Sequence, residues 1–322
     1  MRTVCRVFAF FALMFLYPFS PAVAFEGPLQ VRNLYPIFLH LDQPYLEEAA
    51  MKNSLSFSLS HSSTYTVQSS GHWVINLDME VTEFNIRYKK IIKDFFEFNV
   101  DVPVLIIGGG FLDEPLADYH DTFNFNDYGR SARPHNSFFY EVRRDGALII
   151  QGKSGVRLGD IRLAVKKSLL EIDGMTLSAG GNVEIPVSNA KKGFSNGNLD
   201  GSVYVLLDLG IGDMIMTYWN FGAVFTGDVD GYQTLAVDDF IYGGGGIEAA
   251  VGKGFSLLLQ VLGQTSIYPT TDLGAVDDDA YLISFGGRYQ NRRGIVELSL
   301  TEDLSTAGAP DFILNASWKL LI

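Results

Sequence analysis

The sequence predicts an all-β protein: a transmembrane barrel of about twelve antiparallel strands, with one long loop that carries a short helix. Three observations support this fold. Apolar and polar residues alternate along many segments, as in strands with one apolar and one polar face. Beyond the first 24 residues, no apolar run is long enough for a membrane-spanning helix. Short and long connections also alternate along the chain, as they do in bacterial outer-membrane barrels.

Residues 1–24 have the features of a secretory signal peptide. A positively charged start precedes an apolar stretch, and Ala22-Val23-Ala24 forms a cleavage site of the small-x-small type. The single cysteine, Cys5, lies inside this segment, so we expect no disulfides and no thiol chemistry in the mature chain. The formal net charge of −13 argues against nucleic-acid binding, which requires basic residues to neutralise phosphates.

Residues 25–52 are predicted to form an N-terminal segment without strands. Pro28, Pro36 and Pro44 recur every eight residues, and proline cannot donate a hydrogen bond within a central strand. We expect this segment either to lie on the periplasmic side of the membrane or to tuck into the barrel lumen. The barrel itself is predicted over residues 53–322.

The predicted strands alternate clearly in five segments, which are NSLSFSLSH (53–61), WVINLDMEV (73–81), FEFNVDVP (96–103), DIRLAVK (160–166) and DFILNASWKLLI (311–322). In a soluble sandwich the apolar face would form the core, whereas in a membrane barrel it meets lipid and the polar face lines the lumen. Strands longer than the ~5–6 residues usual in soluble sheets favour the barrel. The alternation in GFSLLLQVLG therefore places Leu257 against lipid and Gln260 in the lumen.

The connections set the strand number. Tight turns are predicted at 91–94, 171–174, 210–213, 252–254 and 291–294, and long loops near 62–71, 105–157, 187–199, 227–238, 269–279 and 303–309. Five turns and six loops join twelve strands and leave both chain ends on the tight-turn side. In outer-membrane barrels that side is periplasmic.

The segment from Trp73 to Ile92 contains no turn signal, yet its apolar alternation changes register after Val81. We expect a β-bulge there, because one extra residue shifts the alternation by one position. An unseen turn near Thr82 is the alternative, and it would break the even strand number.

The same alternation predicts a lumen face with an excess of acidic residues. Its acidic positions are Asp78, Glu80, Glu97, Asp101, Glu184, Glu248 and Glu297, and its basic positions are Arg162, Lys166, Arg288 and Lys319. A small barrel can fill its lumen with paired side chains and conduct little, or it can leave a narrow pore that favours cations.

Three stretches carry a family resemblance. They are GPLQVRNLYPIFL at 27–39, the pattern GGGFLD…H…F…GR at 108–130, and Leu158-Gly159-Asp160 at the start of a strand. In these the chain resembles a family of exported proteobacterial proteins known only as a domain of unknown function. The resemblance implies an outer-membrane barrel and no particular reaction.

The glycine-rich stretch in the long loop is the candidate functional site. It lacks the GxxxxGK[ST] and GxGxxG patterns of nucleotide-binding loops, so its glycines are expected to turn the chain out of the sheet before a short helix that Asp113 caps. Folded inward, this loop would constrict the pore. The candidate constriction residues are Gly108, Gly109, Gly110, Asp113, Asp118, His120, Asp121 and Arg130. A lid that only seals the barrel is the alternative.

No catalytic, cofactor or metal site is predicted. Ser195-Asn196-Gly197 is similar to part of an outer-membrane phospholipase motif, but the histidine of that motif is missing, since positions 193 and 194 are Gly and Phe. The preferred function is a narrow outer-membrane channel for an unidentified small solute. A non-conducting structural or partner-binding barrel is the alternative, and a membrane hydrolase is the third candidate. The expected partners are outer-membrane lipid, lipopolysaccharide and the outer-membrane assembly machinery.

Overall fold

A computed structural model describes residues 25–36, 41–115, 118, 122, 129–130, 133–305 and 307–322, so the predicted signal peptide lies outside the described residues. The strands are β1 (Ser54–Ser69), β2 (Trp73–Ile92), β3 (Phe96–Gly108), β4 (Phe139–Arg144), β5 (Ala147–Gln151), β6 (Gly155–Leu158), β7 (Ile161–Ile172), β8 (Met175–Ile185), β9 (Asp200–Ile211), β10 (Ile215–Phe225), β11 (Val229–Asp230), β12 (Thr234–Leu235), β13 (Phe240–Gly252), β14 (Phe255–Gln264), β15 (Ala280–Asn291), β16 (Gly294–Asp303) and β17 (Phe312–Leu321). Short helical pieces occur at Ala190–Lys192 and at α1 (Gly274–Asp277). None of the described helices has the length and apolar character needed to cross a membrane.

Twelve of these strands close an antiparallel barrel, as predicted. The order is β1-β2-β3-β7-β8-β9-β10-β13-β14-β15-β16-β17, and β17 pairs back with β1 from Ser54↔Leu321 to Ser63↔Phe312. The five predicted tight turns join β2–β3, β7–β8, β9–β10, β13–β14 and β15–β16, and they all lie at the end where β1 begins and β17 ends. Closure leaves no unpaired edge among these twelve strands.

The outer surface of the barrel is apolar. Each of the twelve barrel strands presents an exposed large apolar side chain there, namely Leu59, Phe84, Ile106, Val165, Val183, Val203, Phe221, Ile247, Leu259, Phe285, Leu298 and Leu314. Such a continuous apolar band is stable only against lipid, and it identifies a membrane barrel. In β14 the alternation holds as expected: Phe255, Leu259 and Val261 point outward, as does Leu257, and Gln260 is buried inside.

The β-bulge expected in β2 was wrong, and so was the alternative turn near Thr82. The register of β2 runs without a shift from Trp73 to Ile92 against its neighbours. The apolar side chains of its upper half face inward and join a buried core at the long-loop end of the barrel, where Trp73 packs edge-on against Tyr268 at 6.2 Å. The alternation changes because the surroundings of one face change from an apolar core to a polar lumen.

The long β1–β2 loop predicted near 62–71 was also wrong. The two strands continue to pair from Ser63↔Glu80 to Ser69↔Val74, and only residues 70–72 connect them. Beyond the end of β3, strand β4 replaces β3 as the partner of β2, and the two strands pair from Trp73↔Arg144 to Asp78↔Phe139. This end of the barrel therefore rises as a sheet rather than as an open loop.

Two positions assigned to the lumen lie on the opposite face. Asp78 and Glu80 stand directly across from Tyr65 and Ser63 of β1, on the same face of β2 as the exposed Phe84. Both carboxylates are buried because residues from the long loop cover them. The other predicted lumen positions are buried inside the barrel, namely Glu97, Asp101, Glu184, Glu248, Glu297, Arg162, Arg288, Lys166 and Lys319.

The outward band gives a direct test of the membrane assignment. Leu259→Arg should prevent assembly, because an arginine on the lipid face near the bilayer centre costs about 2–4 kcal/mol. Phe255→Arg, on the same face but at the tight-turn end of β14, should be tolerated, since the cost falls to about 0–1 kcal/mol near the interface. Heat-modifiable migration of outer-membrane fractions on SDS gels reports assembly. Equal assembly of the two variants would contradict the assignment of this face to lipid.

Candidate functional site

The N-terminal segment fills the barrel lumen. Residues 25–36 and 41–52, here called the plug, contain no strand, and almost all of them are buried. The ascending limb (25–36) begins beside the inward side chains of the tight-turn end and reaches the opposite end, where the Tyr140 hydroxyl donates to the Pro36 carbonyl at 2.9 Å. The descending limb (41–52) returns, and Lys52 Nζ lies 3.2 Å from Glu26 Oε2. Both ends of the plug therefore lie at the tight-turn end of the barrel.

The plug backbone forms hydrogen bonds with side chains of the barrel wall instead of with a neighbouring strand. Plug N–H groups donate to inward acceptors in these pairs: Glu26 to Glu248 (3.2 Å), Gly27 to Tyr218 (3.1 Å), Leu29 to Gln260 (2.9 Å), Glu47 to Asn220 (2.6 Å), Ala49 to Asp208 (2.8 Å) and Lys52 to Glu97 (2.7 Å). These acceptors come from β3, β9, β10, β13 and β14, so the plug is held from several sides. A proline-containing chain without strand partners can be buried only if its donors are satisfied in this way.

Wall cations satisfy the plug carbonyls. Lys319 donates to the Glu26 carbonyl at 2.8 Å, and Lys166 donates to the carbonyls of Glu48 and Ala50, both at 2.9 Å. Charged donors make stronger hydrogen bonds than neutral ones. The basic lumen positions therefore anchor the plug as well as balance the acidic side chains.

Arg288 is the most buried of these anchors. Its guanidinium lies 2.6 Å from Glu248 Oε2, donates from Nε to Glu297 Oε1 at 2.7 Å, and donates from Nη2 to the Gly27 carbonyl at 2.6 Å. One side chain thus joins β13, β15, β16 and the ascending limb. Its planar guanidinium suits this role, because its N–H groups donate to several oxygens at fixed angles.

Ion pairs hold the descending limb. Arg87 Nη1 donates to Glu47 Oε1 at 2.9 Å, and Lys89 Nζ donates to Glu47 Oε2 at 2.6 Å. Further along the limb, Arg162 Nε lies 3.3 Å from Asp42 Oδ1. Arg87 and Lys89 are inward residues of β2, on the face opposite the exposed Phe84 and Tyr88. The alternation in EFNIRYKK indicated this face, although neither residue was among the predicted lumen positions.

A glycine in β13 makes room for the descending limb. A Cβ atom on Gly244 would lie 2.7 Å from the Leu46 side chain and 2.6 Å from the Val261 carbonyl oxygen. Leu46 is buried in the contact. Glycine at this position lets the plug approach the wall backbone more closely than any other residue would allow.

The plug acids are held in their charged form. The plug lies outside the membrane-spanning strands. Burial alone would raise the pKa of Glu47, but the Lys89 ammonium and Arg87 guanidinium hold that pKa well below its usual range. Burial opposes ionisation of Glu48 as well, yet Lys52 is the foremost of the cations that lower its pKa to about 2. Both carboxylates therefore stay available as ion-pair partners at neutral pH.

The glycine-rich loop packs on the outward face of the wall in its described part. β3 ends at Gly108, and a side chain on Gly110 would overlap Glu80. Glu80 Oε1 accepts a hydrogen bond from the Phe111 N–H at 2.9 Å. Gly109 passes so close to the Asn136 carbonyl that a Cβ would overlap it. The glycines are thus needed for close approach as well as for turning the chain.

Arg130 fastens this loop to the rim. Its guanidinium donates to Ser63 Oγ at 2.9 Å, to Asp113 Oδ1 at 3.2 Å and to Asp311. Asp113 also accepts from the Asn136 N–H at 2.6 Å, which ties the two ends of the loop together.

Residues 113–115, 118 and 122 are helical, and the Asp118 carbonyl accepts a hydrogen bond from the Thr122 hydroxyl at 2.7 Å. His120 and Asp121 lie outside the described residues. The constriction predicted for this loop stays a prediction, and the segment found in the lumen is a different one.

The segment Ser195-Asn196-Gly197, which is similar to part of a phospholipase motif, has a structural role here. Ser195 is fully buried, and its hydroxyl accepts from the Gly197 N–H at 3.0 Å, so Ser195-Asn196-Gly197 forms a turn. Across the described part of the chain, no three or more His, Cys, Asp or Glu side chains are grouped so as to hold a metal ion.

A family model described as "Protein of unknown function (DUF3187)" matches residues 12–320. The chain belongs to the DUF3187 family. The search of curated proteins gave no significant match. Among solved structures, this DUF3187 member is similar to the COG4313 outer membrane channel from Pseudomonas putida F1, with a TM-score of 0.56 and 13% identity over 85% of this chain and 96% of that chain.

Two further structures resemble this DUF3187 member. The NanC porin gives a TM-score of 0.47 and 9% identity, over 83% of this chain and 98% of that chain. The toluene transporter TodX from Pseudomonas putida gives 0.43 and 9%, over 91% and 98%. The likeness to the first structure shows the fold of an outer-membrane barrel. Together with the apolar band, it places this DUF3187 member in the bacterial outer membrane.

The Arg288 anchor predicts a large and specific loss of stability. Arg288→Met should lower the free energy of unfolding by about 3–5 kcal/mol, because it leaves the buried Glu248 and Glu297 without their cation. Arg288→Lys keeps the positive charge but lacks the planar guanidinium, so we expect a smaller decrease in the free energy of unfolding. Urea unfolding of the barrel in detergent micelles measures both. A loss below 1 kcal/mol for the methionine variant would show that Arg288 holds neither the wall nor the plug.

The low pKa of Glu47 predicts how its contribution depends on pH. A carboxyl whose pKa falls on folding stabilises the fold above its unfolded pKa of about 4.3, and this stabilisation is lost as the pH falls through the folded value. Glu47→Gln should therefore lower stability by about 2–3 kcal/mol at neutral pH. The difference from the natural chain should stay constant from about pH 8 to pH 5 and shrink below about pH 4. A difference that already vanishes near pH 6 would contradict the ion-paired state of Glu47.

Proposed function

We propose that this protein is a narrow outer-membrane channel for small solutes and that the plug sets its permeability. The observation that carries the proposal is the lumen itself. The barrel is closed, its inner wall is charged, and it is filled by a separate segment that is joined covalently to the barrel after Lys52. A charged wall is stable in contact with water, so it tolerates any movement of the plug that lets water enter.

Solute size follows from the space around the plug. One cavity between its limbs and the wall, lined by Gln30, Glu47, Arg87 and Lys319 among others, has a volume of about 10 Å³. That is room for about one water molecule. With the plug seated, the conductance should be small, and larger solutes should require the plug to shift.

The competing proposal is a barrel that does not conduct and serves as a scaffold or binds a partner through its loops. The observation in its favour is the number of buried contacts between plug and wall, which a purely structural core would also show. We assign no enzymatic activity. Outer-membrane lipid surrounds the band, and lipopolysaccharide and the barrel assembly machinery are the further partners we propose.

Single-channel recording in planar bilayers separates these proposals. Deletion of residues 27–49 should raise the conductance severalfold over the natural chain, because it removes the material from a lumen whose wall stays polar. Deletion of residues 111–128, in the glycine-rich loop, is the matched control: its described anchors contact the outward face, so the conductance should stay unchanged.

A silent deletion of the plug would favour the scaffold, provided that heat-modifiable migration shows a folded barrel. A conductance rise on deleting 111–128 would instead identify the glycine-rich loop as a constriction.

A further inference from the structure

Four cations lie close together at the long-loop end of the barrel, and they are here called the basic patch. Lys153 precedes β6, Arg157 lies within it, and Lys191 and Lys192 belong to the short helical piece in the loop after β8. The Lys153 N–H donates to the Lys192 carbonyl at 3.3 Å, which joins the two segments. The guanidinium carbon of Arg157 also lies 5.9 Å from the centroid of the Phe194 ring in that loop. Lys192 is half-buried, and the other three cations are exposed.

The basic patch contains no acidic residue. Residues 147–158 and 185–199, which include the patch, have no Asp or Glu, although the whole chain has a formal net charge of −13. Four arginines outside the patch at the same end of the barrel each pair with an acidic side chain, namely Arg130, Arg133, Arg143 and Arg144. Within the described part of the chain, the patch cations have no such ion-pair partner. The patch is therefore a local concentration of uncompensated positive charge.

The basic patch borders the lipid-facing band of the barrel. Arg157 lies between Val156 and Leu158 in the sequence, and these two residues are 54% and 42% exposed. Val156 stands opposite Ile106 of β3, which belongs to the band. Lys153 precedes Val156 by three residues, a stretch that spans at most about 10 Å. Because the long loops of such barrels are extracellular, the patch lies at the level of the lipid headgroups of the outer leaflet.

We propose that the basic patch binds the phosphate groups of lipopolysaccharide, and that the apolar side chains beside it contact the acyl chains of the same lipid. Lipid A, the membrane anchor of lipopolysaccharide, carries two phosphates on a sugar backbone above its acyl chains. The Arg157 guanidinium can donate two N–H groups to one phosphate, and the lysine ammonium groups add point charges. A free phosphate ion would meet the same cations without using the apolar surface, so the position of the patch favours the lipid.

This inference goes beyond the channel function and does not depend on it. It assigns a binding site to the lipopolysaccharide contact proposed above. Such a site would fix one side of the barrel, at β6 and the loop after β8, against the outer leaflet.

Binding is tested on the full chain folded in detergent, at low ionic strength and with EDTA. EDTA removes the divalent cations that would otherwise bridge lipid phosphates to acidic loops. Three probes are compared at equal concentration: bisphosphorylated lipid A, the same lipid A without its phosphates, and inorganic phosphate. Only bisphosphorylated lipid A should raise the melting temperature strongly, by mass action. The rise should weaken in about 1 M salt, where the Debye length falls to ~3 Å.

A patch variant and a matched control locate the site. The patch variant combines Lys153→Gln, Arg157→Gln, Lys191→Gln and Lys192→Gln. Its apparent affinity for bisphosphorylated lipid A, obtained from the melting temperature as a function of lipid concentration, should be weaker by about tenfold or more. The control removes the same charge from exposed positions at the tight-turn end and should keep the natural affinity. It combines Lys90→Gln, Lys93→Gln, Arg292→Gln and Arg293→Gln.

Heat-modifiable migration on SDS gels shows whether both variants are folded. The proposal is overturned if the folded patch variant binds bisphosphorylated lipid A as tightly as the control does. On the natural chain alone, an equal rise with lipid A that lacks phosphates would overturn it, since the contact would then be purely apolar. An equal rise with inorganic phosphate would also overturn it, because the patch would then select a free anion. None of these outcomes depends on conductance, so the lipid site and the channel function fail separately.

Discussion

The pairing of inward charges organises this barrel. A closed sheet of twelve strands in a membrane must alternate, so every second residue points into a lumen too narrow to hold bulk water around each charge. Arg87, Lys166 and Arg288 are all buried there beside acidic partners. Unpaired, such charges would cost several kcal/mol each. The plug supplies the missing partners, both through its carboxylates and through its backbone carbonyls.

The plug has the composition that this role requires. Its prolines prevent it from adding a strand to the sheet, and its backbone groups stay free to bond with wall side chains. Its Leu29, Leu34 and Leu41 join the buried apolar core at the long-loop end, so one segment satisfies a polar lumen below and an apolar core above. The inward face of β2 changes from polar to apolar at the same level, between Glu83 and Val81.

Most of the fold could be predicted from the sequence because its signals are local. The alternation of apolar and polar residues predicted the strands, and the five tight turns predicted their number. Both signals depend only on residues that are neighbours in the sequence. The errors arose where a distant segment decides the surroundings of a residue. The apolar half of β2 was assigned to lipid because nothing nearby indicates that Tyr35, Tyr140 and Tyr268 cover it. Asp78 and Glu80 were misplaced for the same reason, since the loop that covers them lies some 30 residues further along the chain.

The candidate site was less predictable than the fold. The sequence left open whether residues 25–52 lie beneath the barrel or inside it, since the prolines exclude a strand without fixing a location. The partners of this segment are spread over strands that are 26 to 293 residues away, and no local pattern encodes such pairs. Only the acidic excess of the lumen face hinted that additional partners were required.

The connection between plug and barrel has a consequence for biogenesis. The plug precedes β1 in the chain and emerges on the tight-turn side, and the pairing of β1 with β17 joins the first and last strands of the cylinder. A segment that forms a hairpin across the full height of the lumen and contacts strands on all sides is most easily enclosed while the sheet is still open. The nascent sheet would then curl around its own N-terminal segment. This segment would set the diameter of the barrel before β1 pairs with β17.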